Sequence, residues 1–320
     1  MKYSDHKTKR VDLAKAIPLV KPFTLLIEPI CACNFRCKYC YYSLSDINKI
    51  MPSGRMRTIE LNKILKDLVE WDGDLLKVVR IIGFGEPMLH KDLGMWIKYI
   101  KEARVTERIE ITSNCSILTP ELSRQMIQWD LDYLRVSIYG GTQRKFETVT
   151  KSKIKLSYIY NNIKNLQTLK RKLNANNPYV YIKMLDNGDV KENDYFFTLF
   201  SEVSDEIALE KPHSWLNGGV GSRMVCPQPF KMLSVRWNGE VIVCDPDYSN
   251  HTCVGNAFRE NIRDIWYGNR LREFQQMQLE GRRHENMSCR NCSFIDGDYV
   301  MDNIDCLYTN VMELKKNDRT

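Results

Sequence analysis

The sequence predicts an α/β fold: a partial (βα)6 barrel followed by a C-terminal unit made of a β-hairpin and a helix. Three observations lead there. Six short runs rich in β-branched and aromatic residues recur between residues 23 and 210, separated by stretches whose apolar residues fall at helical spacing. Short motifs with chemical potential follow the first four of those runs. Beyond residue 211 the alternation stops, and a hairpin signal and a second group of cysteines appear.

The predicted strands are FTLLIE (23–28), KVVRII (77–82), RIEIT (108–112), YLRVSI (133–138), VYIKM (180–184) and DEIALE (205–210). In the first intervening helix Leu61, Ile64, Leu65 and Leu68 fall at i, i+3, i+4 and i+7, and Leu93, Trp96, Ile97 and Ile100 repeat the pattern in the second. The third helix opens with Thr119 as N-cap and Pro120 at its first position. Each crossover helix must cover the sheet, so the strands are parallel. The same units could build an open doubly wound sheet. Motif position favours the barrel: a cysteine loop follows the first strand, GFGEP (83–87) the second, SNC (113–115) the third and SIYG (137–140) the fourth. Those strand ends form the active face of a TIM-like barrel.

After residue 210 the stretch KPHSWLNGGVGS reads as a linker, taken as 211–225. MLSVRWNGEVIVC (232–244) reads as a β-hairpin with Asn238-Gly239 at its turn. FRENIRDIWYGNRLREFQQMQLEG (258–281) reads as one helical stretch with Ile262, Ile265 and Trp266 on one face. The predicted organisation is an N-terminal extension (1–22), a barrel (23–210), the linker and a C-terminal unit (226–320).

A length of 320 residues suits about two domains, and 43% hydrophobic residues exclude a disordered chain. The net charge of +7 contains no long basic block. Lys170-Arg171-Lys172 and Arg282-Arg283-His284 read as solvated faces, so nucleic acid is not an expected partner. MKYSDHKTKRVD at the start lacks an apolar core, and no run approaches the ~18 apolar residues that span a bilayer; no membrane partner and a cytoplasmic location are expected. In that compartment thiols stay reduced, so eleven cysteines point to metal or redox chemistry rather than disulfides.

Cys33, Cys37 and Cys40 have the spacing CxxxCxxC. Three thiolates on one short loop can hold three irons of a 4Fe-4S cube and leave the fourth iron open for chemistry. Zinc with a fourth ligand from elsewhere is the alternative, although structural zinc favours paired CxxC or CxxC/His units. GFGEP is not a dinucleotide turn, because Pro87 and Met88 stand where a GxGxxG turn would enter its helix.

CNFRCKYC, with an aromatic before the last cysteine and GFGEP after the next strand, resembles the signature of the radical SAM (S-adenosylmethionine) superfamily. The resemblance implies that the open iron chelates the amino and carboxylate groups of SAM. It implies reductive cleavage to methionine and a 5′-deoxyadenosyl radical that abstracts hydrogen from an unactivated carbon. It also implies that Tyr39 packs near the adenine, that Gly83, Phe84, Gly85 and Glu86 line the methionine end, and that Ser113, Asn114 and Ser137 contact ribose or carboxylate. Ser113 and Ser137 can equally be read as strand-end caps. The family's GxIxGxxE is missing at the fifth strand, where YIKML stands, which leaves Lys183 or Met184 for adenine contacts.

Cys226, Cys244, Cys289 and Cys292 form the second group. GEVIVC (239–244) and CRNC (289–292) resemble the SPASM/Twitch type of C-terminal extension. That implies one fully ligated auxiliary 4Fe-4S cluster suited to electron transfer; a four-cysteine zinc site on a hairpin is the alternative. Cys31, Cys115, Cys253 and Cys306 read as core or surface filler, with Cys253 and Cys306 also able to donate hydrogen or substitute as ligands.

In motif order the chain is similar to Twitch-bearing radical SAM dehydrogenases that oxidise a hydroxyl of an aminocyclitol or sugar. This implies a small-molecule substrate, an external one-electron reductant such as flavodoxin or ferredoxin, and an auxiliary cluster that accepts the second electron. A base is then needed near the barrel mouth, and Glu210, His213 and Arg223 are the candidates. The alternatives are a redox-neutral epimerase with a cysteine hydrogen donor and a maturase acting on a peptide or protein.

Overall fold

The computed structural model describes residues 11–44, 47–186, 188–210, 221–296 and 302–308. A short helix α1 (Leu13–Ala16) precedes β1 (Thr24–Ile27). Then come α2 (Ile47–Ile50), α3 (Thr58–Val69), β2 (Val78–Ile81), α4 (Leu93–Ala103), β3 (Ile109–Ser113), α5 (Pro120–Gln128) and β4 (Tyr133–Ile138). They are followed by α6 (Gln143–Thr150), α7 (Leu156–Lys172), β5 (Tyr179–Leu185), α8 (Val190–Phe200) and β6 (Glu206–Glu210). The C-terminal part adds α9 (Gln228–Lys231), β7 (Met232–Val235), β8 (Glu240–Ile242), β9 (Cys253–Asn256), α10 (Ile262–Tyr267) and α11 (Asn269–Leu279).

All six predicted strands form. They lie side by side in chain order, each parallel to the last, in a nine-stranded sheet ordered β6-β5-β4-β3-β2-β1-β7-β8-β9. Strands β1 to β6 advance in one direction from β1, as in a barrel; a doubly wound sheet reverses beside its first strand. The alternation within each strand explains the layers. Leu25, Ile27, Val79, Ile81, Ile109, Ile111, Leu134, Val136, Val180 and Ile182 face one side and join the main core with the helices. Arg80, Glu110, Arg135, Lys183 and Glu210 fall on the opposite face by register.

The helices carry the predicted signals. Leu61, Ile64, Leu65 and Leu68 are the buried stripe of α3, and Thr119 caps α5 by accepting the Leu122 N–H at 3.1 Å. The region read as one helical stretch over 258–281 is two helices: α10 ends at Gly268, whose extended backbone then serves as the N-cap of α11.

The predicted hairpin forms between β7 and β8, with Gly239 at φ +86; a Cβ there would press into the Phe258 ring. What the sequence pattern did not announce is where it sits. Strand β7 pairs in parallel with β1, so the hairpin extends the barrel sheet past its first strand. The stretch 211–220 lies outside the described residues.

Candidate functional site

The loop after β1 is positioned by its backbone. The N–H groups of Arg36 and Lys38 donate to the carbonyls of Thr150 and Val149 at the end of α6, at 2.9 and 2.8 Å. Phe35 packs edge-on against Phe146 with centroids 5.7 Å apart. From the other side the GFGEP loop lies on the same segment: the Glu86 N–H donates to the Ala32 carbonyl at 2.8 Å, and a Cβ on Gly85 would overlap the Ile30 carbonyl oxygen. That close approach is the local reason for glycine at this position.

Cys33, Cys37 and Cys40 end up as mutual electrostatic neighbours. Burial pushes the Cys33 thiol up to about 12, with Glu86 and Cys40 adding to the effect. Burial, then Cys40 and Cys33, pushes Cys37 up as well, and burial raises Cys40. Three crowded thiols that resist ionisation become stable thiolates only against a strongly cationic partner, which is what an iron-sulfur core supplies.

Around this loop the predicted cofactor contacts divide by role. Tyr39, Gly83, Phe84, Gly85 and Ser137 are partly exposed. Glu86 is buried: its carboxylate accepts the Ser113 hydroxyl at 2.6 Å, the Asn114 N–H at 2.8 Å and the Met88 N–H at 3.0 Å. It therefore acts as a strut between the loops after β2 and β3. Asn114 Nδ2 donates to Asn34 Oδ1 at 3.1 Å, and Asn34 Nδ2 donates to the Ser116 hydroxyl at 2.7 Å, tying the cysteine loop to the end of β3.

Two residues outside the predicted set belong to this region. Buried Glu28, just after β1, accepts the Phe84 N–H at 2.9 Å and the Trp237 N–H at 3.4 Å, and so joins the glycine loop to the hairpin. Tyr139, two residues after Ser137 on the same face, shares a side-chain hydrogen bond with Ser137 and has Cys37, Cys40 and Glu210 as neighbours. Strand alternation from Ser137 is the signal that points to Tyr139.

The inner face is an ionic network. Glu110 pairs with Arg80 at 2.6 Å and Arg108 at 2.5 Å. Burial alone would raise its carboxyl, but the guanidiniums of Arg80, Arg108 and Arg135 more than reverse that and hold it low. Higher up, Glu210 accepts Lys183 Nζ at 2.7 Å and Arg135 at 3.5 Å. Burial lowers the Lys183 ammonium, and Glu210 offsets only part of that.

Of the three predicted bases, Glu210 is thus already ion-paired. The Arg223 N–H donates at 3.0 Å to Asp296, which lies in the C-terminal part, and His213 lies outside the described residues. Asp245 was missed. It directly follows Cys244, is faced by the cations Arg80, Arg236 and Lys183, and receives no hydrogen bond among the described residues. An acid directly after a candidate ligand cysteine was the available sequence signal.

Cys226, Cys244, Cys289 and Cys292 line one cavity, together with apolar Val243 and Phe274. Its frame is tied across the chain. Asp247, in the turn after Cys244, accepts the Thr252 N–H at 2.7 Å and the hydroxyl of Ser288, the residue before Cys289, also at 2.7 Å. Gln278 Nε2 approaches Cys289 Sγ at 3.8 Å, and its buried Oε1 has no hydrogen-bond partner among the described residues. Burial and the neighbouring thiols push Cys289 up to about 12; burial is also the leading cause that takes Cys226 up to about 11 and raises Cys244.

Among the described residues, no three His, Cys, Asp or Glu side chains converge on a single-ion site. Four cysteines around a common cavity fit a cluster better than one zinc, whose ~2.3 Å bonds would draw the sulfurs together. Cys253 and Cys306 are exposed and do not line the cavity; Cys31 and Cys115 are buried.

Comparison with known proteins agrees with this geometry. Residues 27–192, just over half of the chain, match the radical SAM superfamily, and residues 226–293 match SPASM, an iron-sulfur cluster-binding domain. The S-adenosyl-L-methionine-dependent 2-deoxy-scyllo-inosamine dehydrogenase of Niallia circulans is 25% identical over 281 residues, covering 85% of this chain and 94% of that protein. The crystal structure of BtrN in complex with AdoMet and 2-DOIA aligns over 88% of this chain and 94% of its own, with TM-score 0.55 and 20% identity. Native anSMEcpe with bound AdoMet aligns over 92% and 97%, with TM-score 0.62 and 14% identity. Both show the shared fold. Among the described residues no helix is long and apolar enough to cross a membrane. The chain belongs to the radical SAM superfamily and is an enzyme that uses S-adenosylmethionine and two 4Fe-4S clusters.

Proposed function

We propose that this enzyme is a dehydrogenase of a hydroxylated small molecule of the sugar or aminocyclitol type. Cys33, Cys37 and Cys40 hold the SAM-binding cluster, and Cys226, Cys244, Cys289 and Cys292 hold the auxiliary one. Tyr39, Gly83, Phe84, Gly85, Ser113, Asn114 and Ser137 surround SAM, with Glu86 bracing the last two loops. Residues 23–210 are then the catalytic barrel and 226–320 the auxiliary-cluster unit, working in the cytoplasm with flavodoxin or ferredoxin as reductant.

The observation that carries this reading is the placement of Asp245, a carboxylate with no hydrogen-bond donor among the described residues, one residue from an auxiliary-site cysteine and facing inner-face cations. When bound, SAM and its cluster supply a radical that takes the carbinol hydrogen. Asp245 then accepts the hydroxyl proton, and one electron leaves toward the auxiliary site beside Cys244. The substrate loses a hydrogen atom, a proton and an electron, which converts an alcohol into a ketone. Arg80 and Lys183 orient the polar groups of the ring, and the apolar walls of the cysteine cavity exclude water. The dehydrogenase relative, alike over 94% of its length, supports this substrate class.

The test is anaerobic turnover of the reconstituted enzyme with a panel of aminocyclitols and sugars, followed by ketone trapping and quantification of 5′-deoxyadenosine. Equal amounts of ketone and 5′-deoxyadenosine are expected, and Asp245→Asn should keep SAM cleavage while losing the ketone. An unoxidised product carrying solvent deuterium would overturn the reading in favour of epimerisation.

A further inference from the structure

Tyr41 directly follows Cys40, the last cysteine of the first loop. Its ring stacks on Tyr248 with centroids 4.6 Å apart and planes inclined by 25°. Phe84 of the glycine loop meets the same ring edge-on at 6.0 Å. Tyr248 belongs to the turn after Cys244, next to Asp247, whose carboxylate holds Ser288 beside Cys289. The ionisable neighbours of the Tyr41 hydroxyl include Cys292 and Cys244 of the second site and Cys40 of the first. One ring is therefore within electrostatic reach of both cysteine sites.

The surroundings keep this contact in place. Cys31, Tyr42, Ile47 and Met51 form a small buried cluster of their own, against which Cys33, Cys40, Phe84, Trp237 and Tyr248 pack. A Cβ on Gly54 would run into the Trp237 ring, so that ring packs closely on the segment following the cysteine loop. Arg236 sits over Phe84 at 5.4 Å and donates to Met51 Sδ and to the Asp247 carbonyl. These contacts fasten the first cysteine loop to the auxiliary loop around the stacked pair.

We propose that the stacked rings of Tyr41 and Tyr248 form the electronic bridge between the two cluster sites, carrying electrons from the auxiliary cluster to the SAM-binding cluster. One electron moves per event. The auxiliary site is oxidised by one electron and the SAM-binding site is reduced by one; no bond forms or breaks and no proton moves. The electron comes from the external reductant or, in the dehydrogenation proposed above, from the substrate radical. The rings act as a packed, polarisable medium, so the phenol hydroxyl of Tyr41 is not needed.

This inference rests on both clusters being loaded, and its test needs no substrate, so its failure leaves the dehydrogenase reading untouched. The reconstituted protein receives less than one electron per chain from a photoexcited deazaflavin and is frozen at increasing times. The two reduced clusters are distinguished by electron paramagnetic resonance, since SAM perturbs the signal of only one. Tyr41→Phe should equilibrate like the unaltered protein. Tyr41→Leu and Tyr248→Leu should slow the transfer severalfold, with iron and sulfide contents and the SAM-induced signal unchanged. Equal rates in the leucine variants would overturn the proposal, as would a Tyr41→Phe variant as slow as Tyr41→Leu. If Tyr41→Leu loads less iron, the comparison of Tyr248→Leu with Tyr248→Phe decides by the same criteria.

Discussion

The first cysteine site takes its thiols from a single loop, Cys33 to Cys40, whereas the second gathers Cys226, Cys244, Cys289 and Cys292 from three separated segments. The first needs little more than its own turn and the neighbouring ends of β1, β2, β3 and α6. The second exists only when the hairpin, the turn at Asp247 and the segment after α11 are assembled together. A local site is therefore specified by spacing, and an assembled one by the fold.

The strongest way to break this comparison is to remove one ligand from each site. Cys33→Ala should abolish SAM cleavage and lose about four irons while the auxiliary cluster stays loaded, measured by 5′-deoxyadenosine release and iron analysis. Cys289→Ala should have the complementary result: some uncoupled SAM cleavage survives, but ketone formation is lost. SAM cleavage at the unaltered rate in the Cys33 variant would remove the first site from the chemistry.

The same contrast explains what was legible in the sequence. The strands were readable because their apolar residues face the helices at alternate positions, and the first site because Cys33, Cys37 and Cys40 lie within eight residues of one another. Asp245, Glu28 and Tyr139 were not, since each acquires its meaning from partners distant in sequence: Asp245 from Arg80 and Lys183, Glu28 from Phe84 and Trp237, Tyr139 from Cys37 and Glu210. The pairing of β7 with β1 was hidden for the same reason, because a hairpin signal fixes its own turn but not its sheet neighbour. The helix break at Gly268 shows in the pattern only as a change of face: at 100° per residue Leu271 and Gln278 lie opposite Ile262, Ile265 and Trp266, which one continuous helix would not bury together.

Two further substitutions sharpen the comparison by acting on supports rather than ligands. Glu110→Gln leaves Arg80, Arg108 and Arg135 without their shared counterion beneath the strand ends that carry the first site. A loss of about 3 to 5 kcal/mol at neutral pH is expected from a buried charge network broken on one side. The carboxyl is held below its unfolded value, so its contribution is present above about pH 4.3 and is lost as the pH falls through the lower folded value. Urea midpoints measured against pH should therefore fall with acidification in the unaltered protein and flatten over that window in Glu110→Gln. Asp247→Ala removes the acceptor of Thr252 and Ser288, and a loss of about 2 to 3 kcal/mol is expected, with iron lost from the auxiliary site first.

The smallest effect should come from Asn34→Ala, the counterpart of Asp247→Ala at the first site. Asn34 is exposed, and its amide links the cysteine loop to Asn114 and Ser116 through two neutral hydrogen bonds of 3.1 and 2.7 Å. Bonds of this kind contribute about 1 kcal/mol each at most when water can replace them. The loop keeps its backbone bonds to the end of α6 and to the GFGEP loop, so Cys33, Cys37 and Cys40 stay together without the Asn34 side chain. Asn34→Ala should therefore load the full complement of iron and cleave SAM at close to the unaltered rate. If it lost the first cluster as readily as Asp247→Ala loses the second, the first site would also depend on long-range assembly, and the contrast between a local and an assembled site would fall.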